Sequence, residues 1–168
     1  MHPDIETRFE NLEIRRQSIV GRVRDLPPDR RTAKANNKGF SPVEVIMHLA
    51  LAEQGNVEMM RKAPPSSLKG KKPHVTSFFN KIVNAMQRPD HPVRSTPGMT
   101  PRGDVTLEKA ERLWEQSRTE TRKYLETVPG LREPFIRFNL LMGLASVNDY
   151  LTLLEAHMTY HEQRFPAV

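Results

Sequence analysis

Two histidines near the end of the chain, His157 and His161, stand four residues apart in the sequence His-Met-Thr-Tyr-His. An α-helix turns once every 3.6 residues, so side chains four apart lie on one face with β-carbons about 5–6 Å apart. Two imidazoles at that spacing can bind one metal ion. Six histidines in 168 residues give about 0.2 such pairs by chance, so the pair by itself is only a hypothesis.

The helix that must carry this pair is predicted to run from Ser146 to about Arg164. Ser146 can cap free backbone amides, and Asp149, three residues later, completes an S-x-x-D capping box. The apolar stripe of this helix continues through both histidines and consists of Tyr150, Leu153 and Leu154. Both imidazoles should therefore lie on the buried side.

A third histidine, His48, lies on another predicted helix, which runs from Pro42 to about Arg61. Ser41 is a good N-cap, proline suits the first helical position, and Glu44 can bond back to Ser41. The inward stripe consists of Val45, His48, Leu49, Ala52, Asn56 and Met59. If the three histidines converge, they offer imidazole ligands without a thiolate and leave coordination positions open, as catalytic metal sites require.

The remaining pattern predicts helices over residues about 3–26 and about Thr106 to Thr127, with Trp114 in the core. Residues 29–40 read as a polar connecting loop, and no convincing alternating strand pattern appears, even in the apolar stretch Glu133 to Ala145. We predict a single all-α domain over residues 1–168, a four-helix bundle with a long, partly helical connection between helices two and three.

That connection, an irregular excursion over about residues 63–105, contains seven of the fourteen prolines and the basic run Lys69-Gly-Lys-Lys72. Thr76 can cap a short helix from Ser77 to about Gln87. Its predicted apolar face consists of Phe78, Phe79, Ile82, Val83 and Met86. Such an excursion is typical of a lid, a pocket wall or a partner surface, and equally of a loop held by one packed helix.

Composition limits the possible functions. The chain has no cysteine, so metal chemistry would depend on His, Asp and Glu. No apolar run approaches the ~20 residues that span a bilayer, and the first residues lack a signal pattern, so we expect a cytoplasmic protein with no membrane partner. The net charge of +6 suits a solvated surface or attraction of an anionic small molecule. We do not expect nucleic acid as a partner, since no nucleic-acid-binding motif is present.

Two stretches resemble the DinB-like superfamily. The sequence Phe40-Ser-Pro-Val-Glu-Val-Ile-Met-His48-Leu-Ala is similar to its helix-two signature, although relatives often have Trp where this chain has Phe40. The sequence from Gly143 through Asp149 to His157-x-x-x-His161 is similar to its final helix. The likeness is strong over about residues 40–56 and 140–165.

The resemblance implies a four-helix bundle that binds a divalent metal, zinc or nickel, through His48, His157 and His161. Relatives include bacillithiol transferases and a mycothiol-dependent maleylpyruvate isomerase, so it also implies a small-molecule substrate and a low-molecular-weight thiol cosubstrate for an S-transferase. The alternative is a non-catalytic bundle of the same family that binds a partner protein. Bundles of this kind often form homodimers. Glu44 is a weak candidate for orienting His48, and Tyr160 could face a pocket mouth or simply pack.

The other histidines have no such spacing. His2, His74 and His91 lie in the terminus and the proline-rich excursion, and we expect them to be exposed. A lone inward histidine is more often a hydrogen-bonded core residue than a metal ligand. Three histidines that fit a family motif at two places favour a metal site.

Overall fold

The computed structural model describes residues 1–34, 39–62, 65–88, 97–139 and 142–165. It is mostly helical, with a small three-stranded sheet. The helices are α1 (Pro3–Asp25), α2 (Pro28–Thr32), α3 (Pro42–Lys62), α4 (Pro65–Leu68), α5 (Ser77–Met86), α6 (Leu107–Leu125) and α7 (Val147–Glu162). The strands are β1 (His74–Val75), β2 (Pro134–Asn139) and β3 (Gly143–Ser146). No helix in these ranges is long and apolar enough to span a membrane.

Both predicted capping boxes form. At α7 the Asp149 amide donates to Ser146 Oγ (3.1 Å), while Asp149 Oδ2 accepts from the Ser146 amide (2.9 Å). At α3 the Glu44 amide donates to Ser41 Oγ (3.3 Å), and the Ser41 amide donates back to Glu44 (2.8 Å). Each box satisfies amides at a helix start that have no partner within the helix. The starts of the two histidine-bearing helices are therefore determined locally.

The core lies between the long helices. Helix α3 packs against α6 and α7, and α1 packs against α6 and α7. The largest fully buried side chains are Trp114, Tyr150, Phe9 and Phe135. Trp114 is thus a core residue, as predicted.

The sheet corrects the prediction that strands are absent. Strands β2 and β1 both pair antiparallel with the central strand β3. The β2–β3 pairing contains register shifts, and Gly143 has φ +87° where β3 approaches the His74 carbonyl. Because the ladder is irregular, apolar and polar residues need not alternate strictly along these strands. The sequence therefore shows no alternating pattern where the strands lie. The stretch expected to be irregular supplies two of the three strands.

The connection between α3 and α6 also contains regular structure. The predicted helix is confirmed as α5, whose Phe79 amide donates to the Thr76 cap (3.4 Å). Phe79, Val83 and Met86 pack against Ala156 and Tyr160 of α7. Phe78 was predicted to belong to this apolar face but is 42% exposed. The contacts with α7 are made by Phe79, Val83 and Met86 instead.

Residues expected to form a polar loop include the one-turn helix α2. Pro28 occupies its first turn, and the Ala33 amide donates to the Asp29 carbonyl (3.2 Å). The pre-set φ of proline favours such a turn, which is too short to show an apolar stripe. This is a local correction that leaves the path to α3 unchanged.

Candidate metal centre

The structure brings His48, His157 and His161 together; we call these three residues the histidine centre. One ring nitrogen from each can be chosen so that all three lie within 4.8 Å of one another. The ring centroids are 5.0 Å apart for His48 and His157, 4.8 Å for His48 and His161, and 5.0 Å for His157 and His161. Residues far apart in sequence therefore form one compact cluster.

Two helices position this cluster. His48 lies in the second turn of α3, whereas the other two histidines lie one turn apart at the end of α7. His48 is 3% exposed and His161 9% exposed, while His157 retains partial exposure. The centre is thus largely dry, with His157 the member that solvent reaches.

The backbone carbonyl of Met99 orients His48. His48 Nδ1 lies 2.7 Å from this oxygen, in the 3-10 turn Pro97–Met99. A carbonyl only accepts hydrogen bonds, so Nδ1 must carry the proton, and Nε2 of the neutral ring then carries a lone pair. That lone pair faces His157 Nε2 at 3.0 Å. Metal-binding histidines are commonly fixed in this way by a second hydrogen bond.

The arrangement fits a divalent transition metal. Zinc–nitrogen bonds of about 2.0–2.1 Å at tetrahedral angles place ligand nitrogens about 3.3 Å apart. The observed 3.0 Å contact and the 4.8 Å limit bracket that separation, so small side-chain rotations would suffice. Imidazole suits zinc, nickel, copper and iron, whereas Mg²⁺ and Ca²⁺ prefer oxygen ligands. Within the described ranges no other cluster of three His, Cys, Asp or Glu residues has ligand atoms this close.

Burial keeps these imidazoles neutral. Desolvation, followed by the neighbouring His48, lowers the pKa of His157 to about 3. Desolvation, then His157, His48 and Arg164, lowers the pKa of His161 to about 2. Burial also lowers the pKa of His48, opposed by its bond to Met99. At neutral pH all three rings are therefore uncharged, so metal binding need not displace a proton from an imidazolium.

The structure places the other sequence candidates away from this role. Glu44, the candidate for orienting His48, instead caps α3 and pairs with Lys34 (3.1 Å). The hydrogen bond from His48 Nδ1 goes to the Met99 carbonyl. Tyr160 is buried, and its ring meets that of His161 edge-on at 5.0 Å. Both His2 and His74 are exposed, as predicted, and His91 lies outside the described residues.

Sequence reasoning missed a buried ion pair between Glu53 of α3 and Arg118 of α6. Arg118 Nε lies 2.7 Å from Glu53 Oε2, and Trp114 Nε1 donates to Glu53 Oε1 (2.7 Å). Arg118 also approaches the Met158 sulfur at 3.3 Å, next to His157 on α7. Trp114 and Arg118 are four residues apart, which puts them on one helix face. That spacing was the available signal in the sequence. The network links α3 to α6 and reaches Met158 of α7.

Comparisons with protein-family models, with curated proteins and with solved structures found no match to this chain.

Proposed function

We propose that this protein is a divalent-metal-binding member of the DinB-like superfamily that acts as a metal-dependent enzyme, with His48, His157 and His161 as the metal ligands. Zinc and nickel are the proposed metals. The four long helices would be those of the family's bundle, with α4, β1 and α5 within the connection between its second and third helices. The resemblance of residues 40–56 and 140–165 motivates the family assignment.

One observation carries the proposal: three imidazoles converge, and the His48 Nδ1 bond to the Met99 carbonyl directs the Nε2 lone pair of that ring into the group, toward His157 Nε2. A core histidine also needs hydrogen-bond partners, so the bond to Met99 alone would not favour a metal. The convergence of three imidazoles, with nitrogens within 4.8 Å of one another, does favour one. Three neutral nitrogen donors with no thiolate leave room for a further ligand, as catalytic sites do.

The proposed reaction class is transfer of a low-molecular-weight thiol to an electrophile. A bound metal would lower the pKa of the thiol and so supply a thiolate at neutral pH. The chain would contribute three positioned imidazoles, a largely dry surrounding that strengthens electrostatic interactions, and access at the partly exposed His157. Because the chain has no cysteine, the thiol would come from a small molecule.

Elemental analysis tests this function. Protein purified without an affinity tag is compared with His157→Ala and with the control His74→Ala, which removes an exposed histidine outside the centre. Zinc or nickel is then re-added and the metal content is measured. We expect about one metal per chain in wild type and in the control, and a strong loss in His157→Ala, because the other two imidazoles alone bind much more weakly.

Two results would count against the proposal. Wild type that stays metal-free after both additions would remove the metal site and favour the alternative, a non-catalytic bundle that binds a partner protein. Equal metal content in His157→Ala and wild type would place the metal elsewhere on the chain. If the expected result is obtained, thiols are screened against electrophiles with the loaded protein.

A further inference from the structure

The positive charge of the chain is concentrated in one stretch. Residues 61–88, which we call the basic segment, contain seven Lys or Arg residues and no Asp or Glu. The whole chain has 26 basic and 20 acidic residues. The rest of the chain, outside the basic segment, therefore has 19 basic and 20 acidic residues. The basic segment therefore accounts for all of the net charge of +6.

Most cations of the basic segment are not neutralised by neighbours. Arg61 pairs with Glu120 (3.3 Å). The other six have no ion-pair partner among the residues that the structure describes: Lys62, Lys69, Lys71, Lys72, Lys81 and Arg88. Most described basic side chains elsewhere do have such a partner, for example Arg15 and Arg24. The segment thus presents free positive charge to solvent.

Among the described residues, the glutamates within one helical turn of the three histidines are, by contrast, neutralised. On α7, Glu162 lies 2.6 Å from Arg15, and Glu155 lies 3.5 Å from Arg8. Glu44 at the start of α3 pairs with Lys34. Positive charge from the basic segment is therefore not cancelled by acids around the three imidazoles.

The basic segment lies against the helix that holds two of these histidines. Its helix α5 packs on α7 at Tyr160, whose ring meets His161. The guanidinium of Arg164 stacks on Tyr160 with its carbon 3.5 Å from the ring centroid and donates to the Arg88 carbonyl (3.4 Å). Arg164 adds a further positive charge at this junction, close enough to contribute to the lowered pKa of His161.

We propose that the small molecule taken up at the histidine centre is an anion, carrying a carboxylate, sulfonate or phosphate group, and that the basic segment attracts it. This inference rests on the proposed metal site and narrows its substrate class. A surface with charge of one sign raises the local concentration of oppositely charged ligands and speeds their association. The segment would act from a distance, with no single lysine as the binding residue.

The expected size follows from Coulomb's law. Lys81 lies on α5, and Lys71 and Lys72 lie just before β1. The size is worked for a separation of about 15 Å from the centre, one and a half helix diameters. Removing three charges at that distance should weaken binding about two-fold for each negative charge of the bound ligand at 10 mM salt, where the Debye length is about 30 Å. At 0.15 M salt the effect should fall below about 1.5-fold.

The test uses cobalt-loaded protein and three thiols of equal length and different charge: 2-mercaptoethanesulfonate, 2-mercaptoethanol and 2-aminoethanethiol. Binding is followed by the thiolate-to-cobalt charge-transfer band, which needs no turnover. The variant Lys71→Gln/Lys72→Gln/Lys81→Gln removes three exposed charges from the segment. The control Arg112→Gln/Lys123→Gln/Arg132→Gln removes the same charge from exposed positions on α6 and the turn before β2.

Each thiol binds cobalt as a thiolate, so the bound ligands carry net charges of −2, −1 and 0. At 10 mM salt we expect the segment variant to bind the sulfonate thiol about five-fold more weakly than wild type, 2-mercaptoethanol about two-fold more weakly and 2-aminoethanethiol unchanged, with the differences reduced by salt. A folding defect would weaken the binding of all three thiols equally, whereas loss of positive charge should weaken binding according to the charge of the thiol. The pattern therefore distinguishes misfolding from loss of charge. Identical affinities in wild type and the segment variant, or equal effects in the control variant, would overturn the inference while leaving the metal site intact. Failure of wild type to take up cobalt would overturn both, and the cobalt content distinguishes these cases.

Discussion

The buried histidines should make the metal-free protein unusually sensitive to mild acid. In the unfolded chain a histidine gains a proton as the pH falls through about 6.5. In the folded chain His157 and His161 stay neutral down to a pKa of about 3 and about 2. The unfolded state therefore binds more protons over this window, and the free energy of unfolding falls as the pH falls.

The magnitude follows from the same linkage. Between pH 7.5 and 5.5 each such histidine should cost about 1 kcal/mol, so two should cost 2–3 kcal/mol. His48, whose pKa is also lowered by burial, acts in the same direction. Two partly buried carboxylates, Glu13 and Glu44, do not contribute over this pH range, because their pKa values are lowered from 4.5 and the stability they add is lost only at lower pH.

The assay is urea unfolding of chelator-treated protein at pH 7.5, 6.5 and 5.5. His161→Leu removes one buried imidazole at similar volume and should reduce the loss of stability over this range by about 1 kcal/mol. His74→Ala, at an exposed position, is the control and should follow wild type. A flat stability profile in wild type, or a profile unchanged in His161→Leu, would refute the claim that these imidazoles are buried and neutral.

Three further predictions concern the scaffold and are read out by urea unfolding at pH 7.5. Arg118→Met should cost about 3–5 kcal/mol by stranding Glu53 in the core, and a loss below about 1 kcal/mol would contradict a desolvated pair. Gly143→Ala should destabilise by about 1–3 kcal/mol, because φ is +87° and the added methyl would meet a β1 carbonyl; wild-type stability would contradict this close approach. Phe79→Ala should cost about 3–5 kcal/mol and Phe78→Ala below about 1 kcal/mol, and equal losses would contradict the packing of α5 on α7.

The features that could be predicted from sequence are those encoded by neighbouring residues. A capping box needs two side chains three residues apart, so Ser146 with Asp149 and Ser41 with Glu44 identified the starts of α7 and α3. Helical period likewise placed His157 and His161 on one face. These signals are local, and the structure retains them.

The features that were missed depend on contacts between distant parts of the chain. The carbonyl that orients His48 belongs to the backbone of Met99, 51 residues away, and any residue could supply it. Strands β1 and β3 are separated by α5 and α6 and pair over two residues. In the sequence Glu53 is one charged helix residue among many. Its partners Arg118 and Trp114 lie on α6 and contact it only because α6 packs on α3.

The most direct test of the central claim is X-ray absorption at the metal edge of zinc- or nickel-loaded protein, with His48→Ala for comparison. A metal held by His48, His157 and His161 should show nitrogen neighbours at about 2.0–2.1 Å for zinc, with the multiple-scattering pattern of imidazole rings. That pattern should weaken in His48→Ala. A spectrum without imidazole scattering, or one unchanged in the variant, would contradict a three-histidine metal centre.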